Sequence, residues 1–320
     1  MKILCVVSGG DAPGINTCLL RFTAHAADHG DEVIGAVGGF PGLLAEQFTV
    51  LSTRMLMPWA GRAGSVLQSS REAVLREAAN VEKLREIVRR QAIDHLLVFG
   101  GDGTLRHIPP LLHGVGVSTL ALPTTIDNDV PGCERSLGFD SACGFAHQSI
   151  DGVLATAHAL PGRLFMIETL GGTNGNLALA VAHAAGAHAV LVPEYEYDGA
   201  WLAARLVAAV ARDGYALLIL CEGVRGARTL ADELPKLTGI RMRDVRLGHA
   251  QRGASPGQID RALAADFAHE AYTLFKNAAA PLAVALVTRG GRVVVHEGAL
   301  PAGPVLPDRA LYERINGLAQ

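Results

Sequence analysis

The segment "VFGGDGTL" (residues 98–105) indicates how this chain folds. A short apolar run, predicted as a strand at 94–99, leads through two glycines, Asp102 and Gly103 into a predicted helix. Glycines let the backbone approach a bulky anion, and the first N–H groups of a helix point free donors toward it. A carboxylate in such a loop suits a magnesium ion bound to a phosphate, directly or through water. The segment therefore favours phosphate or magnesium binding in an α/β protein over an ordinary turn.

The same alternation of short apolar strands and amphipathic helices continues along the chain. Strands are predicted at 2–8, 32–38, 94–99, 117–122, 163–169, 188–193, 215–221, 242–247, 282–288 and 292–296. Helices are predicted at 14–29, 80–91, 139–158, 174–186, 199–213, 258–276 and 307–318. Short strands rich in Val, Ile and Leu are expected to be covered on both faces, as in largely parallel sheets. In such sheets ligands bind in the loops at the carboxyl ends of the strands.

Composition excludes several classes of protein. The 320 residues can build one large or two modest domains, and the 49% that are hydrophobic are enough for a sizeable core. The net charge of -3 gives no electrostatic basis for binding nucleic acid or an anionic membrane. No apolar stretch is long enough to span a membrane. The five cysteines form no C-x-x-C pair, so we expect reduced thiols in a soluble, cytoplasmic protein.

Two further loops follow predicted strands. The first, "VVSGGDAPGIN" (residues 6–16), is another glycine-rich turn into a helix, and it is not a Walker sequence because no G-K-[ST] follows. The second, "LPTTIDNDVPG" (residues 122–132), places Asp127 close to Asp129, and a plain turn is its alternative explanation. Beside two phosphate-binding loops, the carboxylates indicate phosphoryl transfer to an alcohol. Asp127 would be the base, and Thr125 and the loop amides would be donors.

A basic loop, "RLGHAQRGASP" (residues 246–256), carries His249 and Arg252, and Arg243 lies just upstream. A His and an Arg three residues apart among glycines can form a compact site for an anion. A basic turn on the surface is the alternative. The loop is therefore a candidate for holding a phosphorylated substrate.

Taken together, these motifs resemble those of the phosphofructokinase family. The matching stretches occur in order as "GGDAPGIN", "GGDGT", "TIDNDVPG", "ETLGGTNGNLA" (residues 168–178), "CEGV" (residues 221–224) and "GHAQRG". The resemblance implies an α/β fold of two Rossmann-like lobes, with largely parallel sheets covered by helices. A phosphoryl-donor lobe would comprise 1–138 and 251–301, and a sugar-phosphate lobe would comprise 139–250 and 302–320.

The resemblance also implies roles for individual residues. Asp127 is similar to the base that activates the sugar 1-hydroxyl, with Thr125 and Asp129 beside it. Asp102 is similar to the carboxylate that binds magnesium. The residues that resemble contacts to the donor phosphates are Gly10, Arg71, Gly101, Gly103 and Thr104. Those that resemble contacts to the sugar phosphate are Leu170, Gly171, Glu222, His249, Arg252, Arg163 and Arg243. In the family, the last two residues reach the 6-phosphate from a neighbouring subunit, which implies a homotetramer or a dimer.

The activity implied is magnesium-dependent transfer of a phosphoryl group from ATP to the 1-hydroxyl of fructose 6-phosphate, the glycolytic step that gives fructose 1,6-bisphosphate. Two variants of this reaction remain open, with pyrophosphate as the donor or with another ketose phosphate as the acceptor. A third alternative belongs to another class, a regulatory protein that binds sugar phosphate without catalysis. Small-molecule sugar phosphates and nucleotides are the expected partners, and neither nucleic acid nor a membrane is expected.

Two positions, Thr124 and Gly172, depart from the family pattern. Family members that use ATP usually have glycine at the positions of Gly103 and Thr124, whereas pyrophosphate users typically have Asp and Lys there. Gly103 therefore favours ATP, and Thr124 matches neither pattern. Many catalytic members have an arginine where this chain has Gly172. The loss of such a cationic donor can raise a barrier by a few kcal/mol, on the order of the cost of one oxyanion donor.

Overall fold

The computed structural model describes residues 1–71, 73–296 and 298–318. This part of the chain divides into two compact units. The large unit contains Met1–Ser141 and Arg252–Pro304. The small unit contains Ala142–Gln251 and the described residues from Val305 onward.

Strands and helices alternate along the described residues. The strands are β1 (Lys2–Val7), β2 (Glu32–Ala36), β3 (Phe48–Val50), β4 (His95–Gly100), β5 (Ser118–Thr125), β6 (Leu137–Gly138), β7 (Arg163–Thr169), β8 (Ala189–Leu191), β9 (Tyr215–Cys221), β10 (Met242–Arg246), β11 (Ala283–Arg289) and β12 (Arg292–His296). The α-helices are α1 (Ile15–Asp28), α2 (Gly39–Leu44), α3 (Thr53–Leu56), α4 (Ala78–Arg90), α5 (Asp102–His113), α6 (Phe139–Ala159), α7 (Asn176–Ala185), α8 (Gly199–Asp213), α9 (Ala227–Thr238), α10 (Gln258–Asn277) and α11 (Arg309–Asn316).

The large unit is built on an eight-stranded sheet. Its strand order is β12-β11-β5-β4-β1-β2-β3, and β6 pairs with the end of β5. Two pairs, β2 with β3 and β11 with β12, are antiparallel, and the other pairs of this sheet are parallel. Since β1, β4 and β5 are adjacent and parallel, the loops that follow them all leave from the same edge of the sheet.

Both faces of this sheet are covered. Alternate side chains of a strand point to opposite faces, so Cys5 and Leu97 pack toward one core cluster while Leu4 and Val98 pack toward another. The first cluster includes buried residues of α1 and α10, and the second includes residues of α2 and α4. Burial on both faces explains why these strands are continuous apolar runs rather than alternating ones.

The small unit is built on a four-stranded sheet with the order β10-β7-β9-β8. Its three strand pairs are all parallel. The strands β7, β9 and β10 are adjacent in the order β10-β7-β9, so the loops after them also meet at one edge. The predicted α/β class with largely parallel sheets is confirmed.

The structure corrects one predicted boundary next to the candidate site. The strand predicted at 117–122 continues to Thr125, because β6 pairs with its end in the register Thr124 to Leu137. Thr124 and Thr125 therefore belong to the strand rather than to the loop. The short elements α2, α3, β3 and β6, and the helix α9, are not predicted by the sequence pattern.

Among the helices of the described residues, none combines the length and the apolar character that crossing a bilayer requires.

Candidate active site

The loops after β1 and β4 touch each other at the edge of the large sheet. The amide of Ser8 donates to the carbonyl of Phe99 at 2.8 Å, and the hydroxyl of Thr104 donates to that of Ser8 at 3.2 Å. The predicted phosphate-binding loops are thus held side by side. Gly100 permits this packing, because a Cβ there would lie 2.5 Å from the Cβ of Thr104.

Helix α5 begins directly in the second glycine loop. The carbonyl of Gly101 accepts hydrogen bonds from the amides of Thr104 and Leu105, at 3.0 and 3.1 Å. The first N–H groups of a helix have no partner within it, so the amides of Asp102 and Gly103 are oriented to bind an anion. The predicted donor residues Gly101, Gly103 and Thr104 therefore lie together at one helix start.

Two arginines converge on Gly10 in the first loop. A Cβ on Gly10 would lie 2.6 Å from Nη1 of Arg252 and 3.1 Å from Nη2 of Arg71. Nη1 of Arg252 donates to the carbonyl of Asp11 at 3.2 Å, and the buried Nε of Arg252 has no hydrogen-bond partner among the described residues. Two guanidinium groups next to a residue without a side chain, one of them with an N–H group that has no partner, can bind an anion.

The loop after β5 carries the predicted catalytic carboxylates. The hydroxyl of Thr125 accepts a hydrogen bond from the amide of Asp127 at 3.1 Å. Asn128 between the carboxylates has φ 51°, in the left-handed region, and its side-chain oxygen accepts the amide of Ser136 at 2.8 Å. Asn tolerates this conformation better than most residues. The turn is therefore tightly determined, and it keeps Asp127 and Asp129 next to the end of the strand.

The carboxyl group of Asp129 is largely buried and close to other negative charges. Burial raises its pKa to about 6, and the charges of Asp127 and Asp102 act in the same direction. Its Oδ1 atom is buried with no hydrogen-bond partner among the described residues. The partnerless Oδ1 of Asp129, close to the charges of Asp127 and Asp102, is an oxygen that a divalent cation or its bound water could use.

The described residues contain no group of three His, Cys, Asp or Glu side chains arranged to hold a metal ion by themselves. A magnesium ion here would therefore share its coordination between a carboxylate, water and the phosphate oxygens of a substrate, as is common for this ion. Asp102 and Asp129 are the residues that would hold it.

A cavity of about 620 Å³ opens beside the glycine loops in the large unit. Gly103, Thr104 and Arg71 line one part of it. The rest is mainly apolar, and its side chains include Phe40, Leu75, Ile108 and Leu111. Thr124 is not among the lining residues; it is 2% exposed and its hydroxyl donates to the carbonyl of Leu122 at 2.9 Å. The cavity thus joins a phosphate site to an apolar space.

In the small unit, the loop after β7 is shaped by its glycines. The amide of Leu170 donates to Oε1 of the buried Gln251 at 2.7 Å. Gly171 has φ 137°, and a Cβ on it would lie 2.4 Å from the carbonyl oxygen of Asn174. The amide of Gly172 donates to Oε1 of Glu222 at 3.1 Å, so the predicted substrate residues Leu170, Gly171 and Glu222 are brought together.

Not all of the predicted substrate residues lie at that edge. His249 follows β10, so it leaves the small sheet at the same edge as Leu170 and is exposed. Arg163 is the first residue of β7, and Arg243 pairs with Phe165 near the start of that strand. A seven-residue strand is about 20 Å long. Arg163 is therefore placed at the opposite edge of the small sheet, and Arg243 lies between the two edges, three residues before the end of β10.

Two residues with site contacts were not predicted from the sequence. Gln251 holds the Leu170 amide, and Arg106 donates from Nε to Oδ1 of Asp102 at 2.6 Å. Gln251 stands in the "GHAQRG" motif between two predicted residues, and Arg106 follows Asp102 by four positions on α5. The spacing of four was the available signal for Arg106, because residues i and i+4 of a helix are neighbours.

The chain is similar to known proteins over most of its length. The family model described as phosphofructokinase matches residues 2–275. An ATP-dependent 6-phosphofructokinase from Lactobacillus helveticus is 35% identical over 298 residues, which cover 92% of each chain. One from Lysinibacillus sphaericus is 37% identical over 276 residues, covering 85% of each.

A solved phosphofructokinase from Saccharomyces cerevisiae superposes with a TM-score of 0.83 at 25% identity. The match covers 92% of this chain but 44% of the yeast chain, so this chain spans less than half of that protein. The family model and the two bacterial relatives extend over most of this sequence, and the residues matched by the family model include the glycine loops and the carboxylate loop described above. The chain belongs to the phosphofructokinase family.

Proposed function

We propose that this protein transfers the terminal phosphoryl group of ATP to the 1-hydroxyl of fructose 6-phosphate. The observation that carries the proposal is the edge of the large sheet, where Asp127 and Asp129 lie in the loop next to the glycine loop of Asp102. The two bacterial relatives are both named as ATP-dependent 6-phosphofructokinases. The direct test is release of ADP that depends on fructose 6-phosphate.

The chemistry follows from the groups at that edge. Asp127 accepts the proton of the sugar 1-hydroxyl while the hydroxyl oxygen forms a bond to the γ-phosphorus of ATP. The bond between that phosphorus and the oxygen of the leaving ADP breaks in the same step. The resemblance assigns Arg252 to the sugar phosphate, but its guanidinium lies beside Gly10 and Arg71. We therefore propose that Arg71 and Arg252, with the amide of Gly10, donate to the oxygens of the transferred group. A magnesium ion bound by Asp102 and Asp129 would neutralise phosphate charge. The amides at the start of α5 hold the remaining donor phosphates.

The large-unit cavity favours ATP over pyrophosphate as the donor. Its apolar part, next to Gly103 and Thr104, offers space and surface for a base, which pyrophosphate lacks. The hydroxyl of Thr124 donates to the carbonyl of Leu122, and this uncharged side chain adds no positive charge next to the phosphoryl donor. Both features fit a nucleotide.

Gly103→Asp tests this assignment. A Cβ at Gly103 meets nothing within 4 Å, so the variant is expected to fold, but its carboxylate would face the donor phosphates. We expect kcat/KM for ATP to fall by about 100-fold through repulsion of like charges. Gly152→Asp is the matched control, because Gly152 is exposed on α6 and its Cβ site is also open. Unchanged ATP kinetics in Gly103→Asp would argue against this donor site.

The small unit supports a sugar-phosphate site that is completed by a second subunit. Leu170, Glu222 and His249 are at one edge of its sheet, whereas Arg163 begins β7 at the other edge, about 20 Å away. At that distance Arg163 is too far to reach a phosphate bound at the other edge of the same sheet. We propose that Arg163, with Arg243 on the neighbouring strand β10, serves the site of a neighbouring subunit in a symmetric oligomer, a homotetramer or a dimer.

Mixed oligomers test the shared site. Asp127→Asn disables a subunit's own chemistry, and Arg163→Ser disables the site of its neighbour. Each variant alone is expected to be nearly inactive, while co-expression should restore about a quarter of the wild-type activity, because one site in four then has both groups intact. Arg163→Ser that keeps wild-type kinetics, or mixtures that stay inactive, would contradict the arrangement.

The non-catalytic alternative is less well supported than the enzyme. Many family members have an arginine at the position of Gly172. In this chain the residue has φ 58°, in the left-handed region that favours glycine, and there is open space around it. Arg71 and Arg252 at Gly10 supply positive charge to the donor phosphates within the large unit. The carboxylates that catalysis needs are all present. We also propose the cytoplasm as the location, since the described part of the chain contains no disulfide bond.

A further inference from the structure

Arg106 on α5 makes three hydrogen bonds at the edge of the candidate active site. Its Nε donates to Oδ1 of Asp102 at 2.6 Å. Its Nη1 donates to the carbonyl of Pro301 at 2.6 Å, and its Nη2 to that of Gly303 at 2.9 Å. Each nitrogen of one guanidinium group is therefore used on a different acceptor.

A simple helix ion pair does not account for this arrangement. An Asp in the first turn with an Arg four residues later stabilises a helix only slightly. That pair needs only one nitrogen of Arg106. The two carbonyls come from a segment almost two hundred residues further along the chain, and both side chains are half-buried, at 21% and 32% exposure.

The contact fixes the carboxylate that the proposed function assigns to the metal. With Oδ1 of Asp102 held by Nε, the carboxylate cannot rotate freely, and Oδ2 is the oxygen that remains for a cation or its water. Residues that hydrogen-bond to metal ligands in this way orient them, and their loss commonly weakens metal binding by about 10–100-fold.

The same guanidinium orders the segment 301–303. This segment follows β12 in the large unit, and the chain continues from Val305 into the small unit. Lysine could not replace Arg106 here, because its single nitrogen lacks the planar fork that reaches three separate acceptors.

We propose that Arg106 is a positioning residue that holds Asp102 in the orientation for binding the donor's divalent cation and ties this carboxylate to segment 301–303. The inference rests on the proposed function, because that function places a cation at Asp102. It assigns to Arg106 a role that neither the glycine loop nor the carboxylate loop supplies.

The direction of the effect separates this role from two others. If Arg106 positions Asp102, Arg106→Gln and Arg106→Lys should both weaken cation binding about 10-fold, since both lose the fork. If Arg106 acted only as a competing positive charge, Arg106→Gln should bind the cation more tightly and Arg106→Lys should resemble the wild type. If it only stabilised the helix, cation binding should not change in either variant.

The experiment measures Mn²⁺ binding by electron paramagnetic resonance in the presence of a non-hydrolysable ATP analogue. The melting temperature of each variant is measured as well, to show that the variant is folded. Arg85→Gln is the matched control, because Arg85 also binds an acid on its own helix, Glu82, and a distant carbonyl, that of Gly114. It should leave Mn²⁺ binding unchanged.

The outcomes distinguish the two proposals. Weaker binding in both Arg106 variants, with the control unchanged, supports the positioning role. The positioning role is overturned if both variants bind Mn²⁺ as tightly as the wild type, or if Arg106→Gln binds it more tightly. A wild-type protein that binds no Mn²⁺ with the nucleotide analogue would instead count against the proposed function itself.

Discussion

Asp127→Asn is expected to lower kcat by about 10³–10⁴-fold while the affinity for fructose 6-phosphate stays nearly the same. The amide keeps the size of the carboxylate but cannot accept the proton of the sugar hydroxyl. The loop should keep its shape, because the hydrogen bonds of Thr125, Asn128 and Ser136 hold its turn in the variant as well. Steady-state kinetics and equilibrium binding of the sugar phosphate measure the two quantities separately.

The fold of the variant is not expected to weaken. Removing the charge of Asp127 relieves the repulsion that helps raise the pKa of Asp129, so the melting temperature should stay the same or rise. Asp151→Asn is the control, since Asp151 is an exposed carboxylate on α6. Retention of more than about a tenth of the wild-type kcat in Asp127→Asn would show that another group takes the proton, since a base contributes about 10²-fold or more.

Arg252→Ala is expected to lower kcat/KM by about 10²–10³-fold, the usual cost of losing one donor to a developing negative charge. Arg252 lies against Gly10 beside Arg71, and its Nε is buried without a partner among the described residues. A buried N–H group without a partner has already lost its hydrogen bonds to water in the free protein. Binding a phosphate to Nε of Arg252 therefore requires little further desolvation of this group. The measurement is kcat/KM for both substrates.

Two further variants make the result specific. Arg252→Lys should recover only a small part of the loss, because an ammonium group cannot reproduce the fork that reaches past Gly10. Arg261→Ala is the control: Arg261 is an exposed arginine on α10 whose Nε donates to the carbonyl of Pro256. Equal kinetics of Arg252→Ala and the wild type would remove Arg252 from the site.

The fold was predictable because its main signals are local. Apolar strands such as β4, the glycines that follow them and the helix starts are all contained in short windows such as 98–105, and the structure confirms the class they predict. The extension of β5 to Thr125 could not be seen locally, because it depends on pairing with β6, which begins twelve residues later. Pairing of this kind leaves no periodic pattern in the sequence.

The candidate site was predictable to a similar degree. The glycine loops and Asp127 follow from the chemistry that strand ends support, whereas the roles of Arg71 and Glu222 came only from the family resemblance. Arg106 shows the limit most clearly, because its acceptors at 301 and 303 are brought near it by the tertiary fold. The placement of Arg163 at the far edge of its sheet also needed the strand register.

The most direct test incubates the purified protein with fructose 6-phosphate and Mg²⁺, with ATP and pyrophosphate as donors in parallel reactions, and follows the products by phosphorus NMR. The predicted result is fructose 1,6-bisphosphate and ADP in equal amounts with ATP, no product with pyrophosphate, and no reaction when Mg²⁺ is chelated. Product formed from pyrophosphate but not from ATP would contradict the donor assignment. No product from either donor would contradict the proposed reaction.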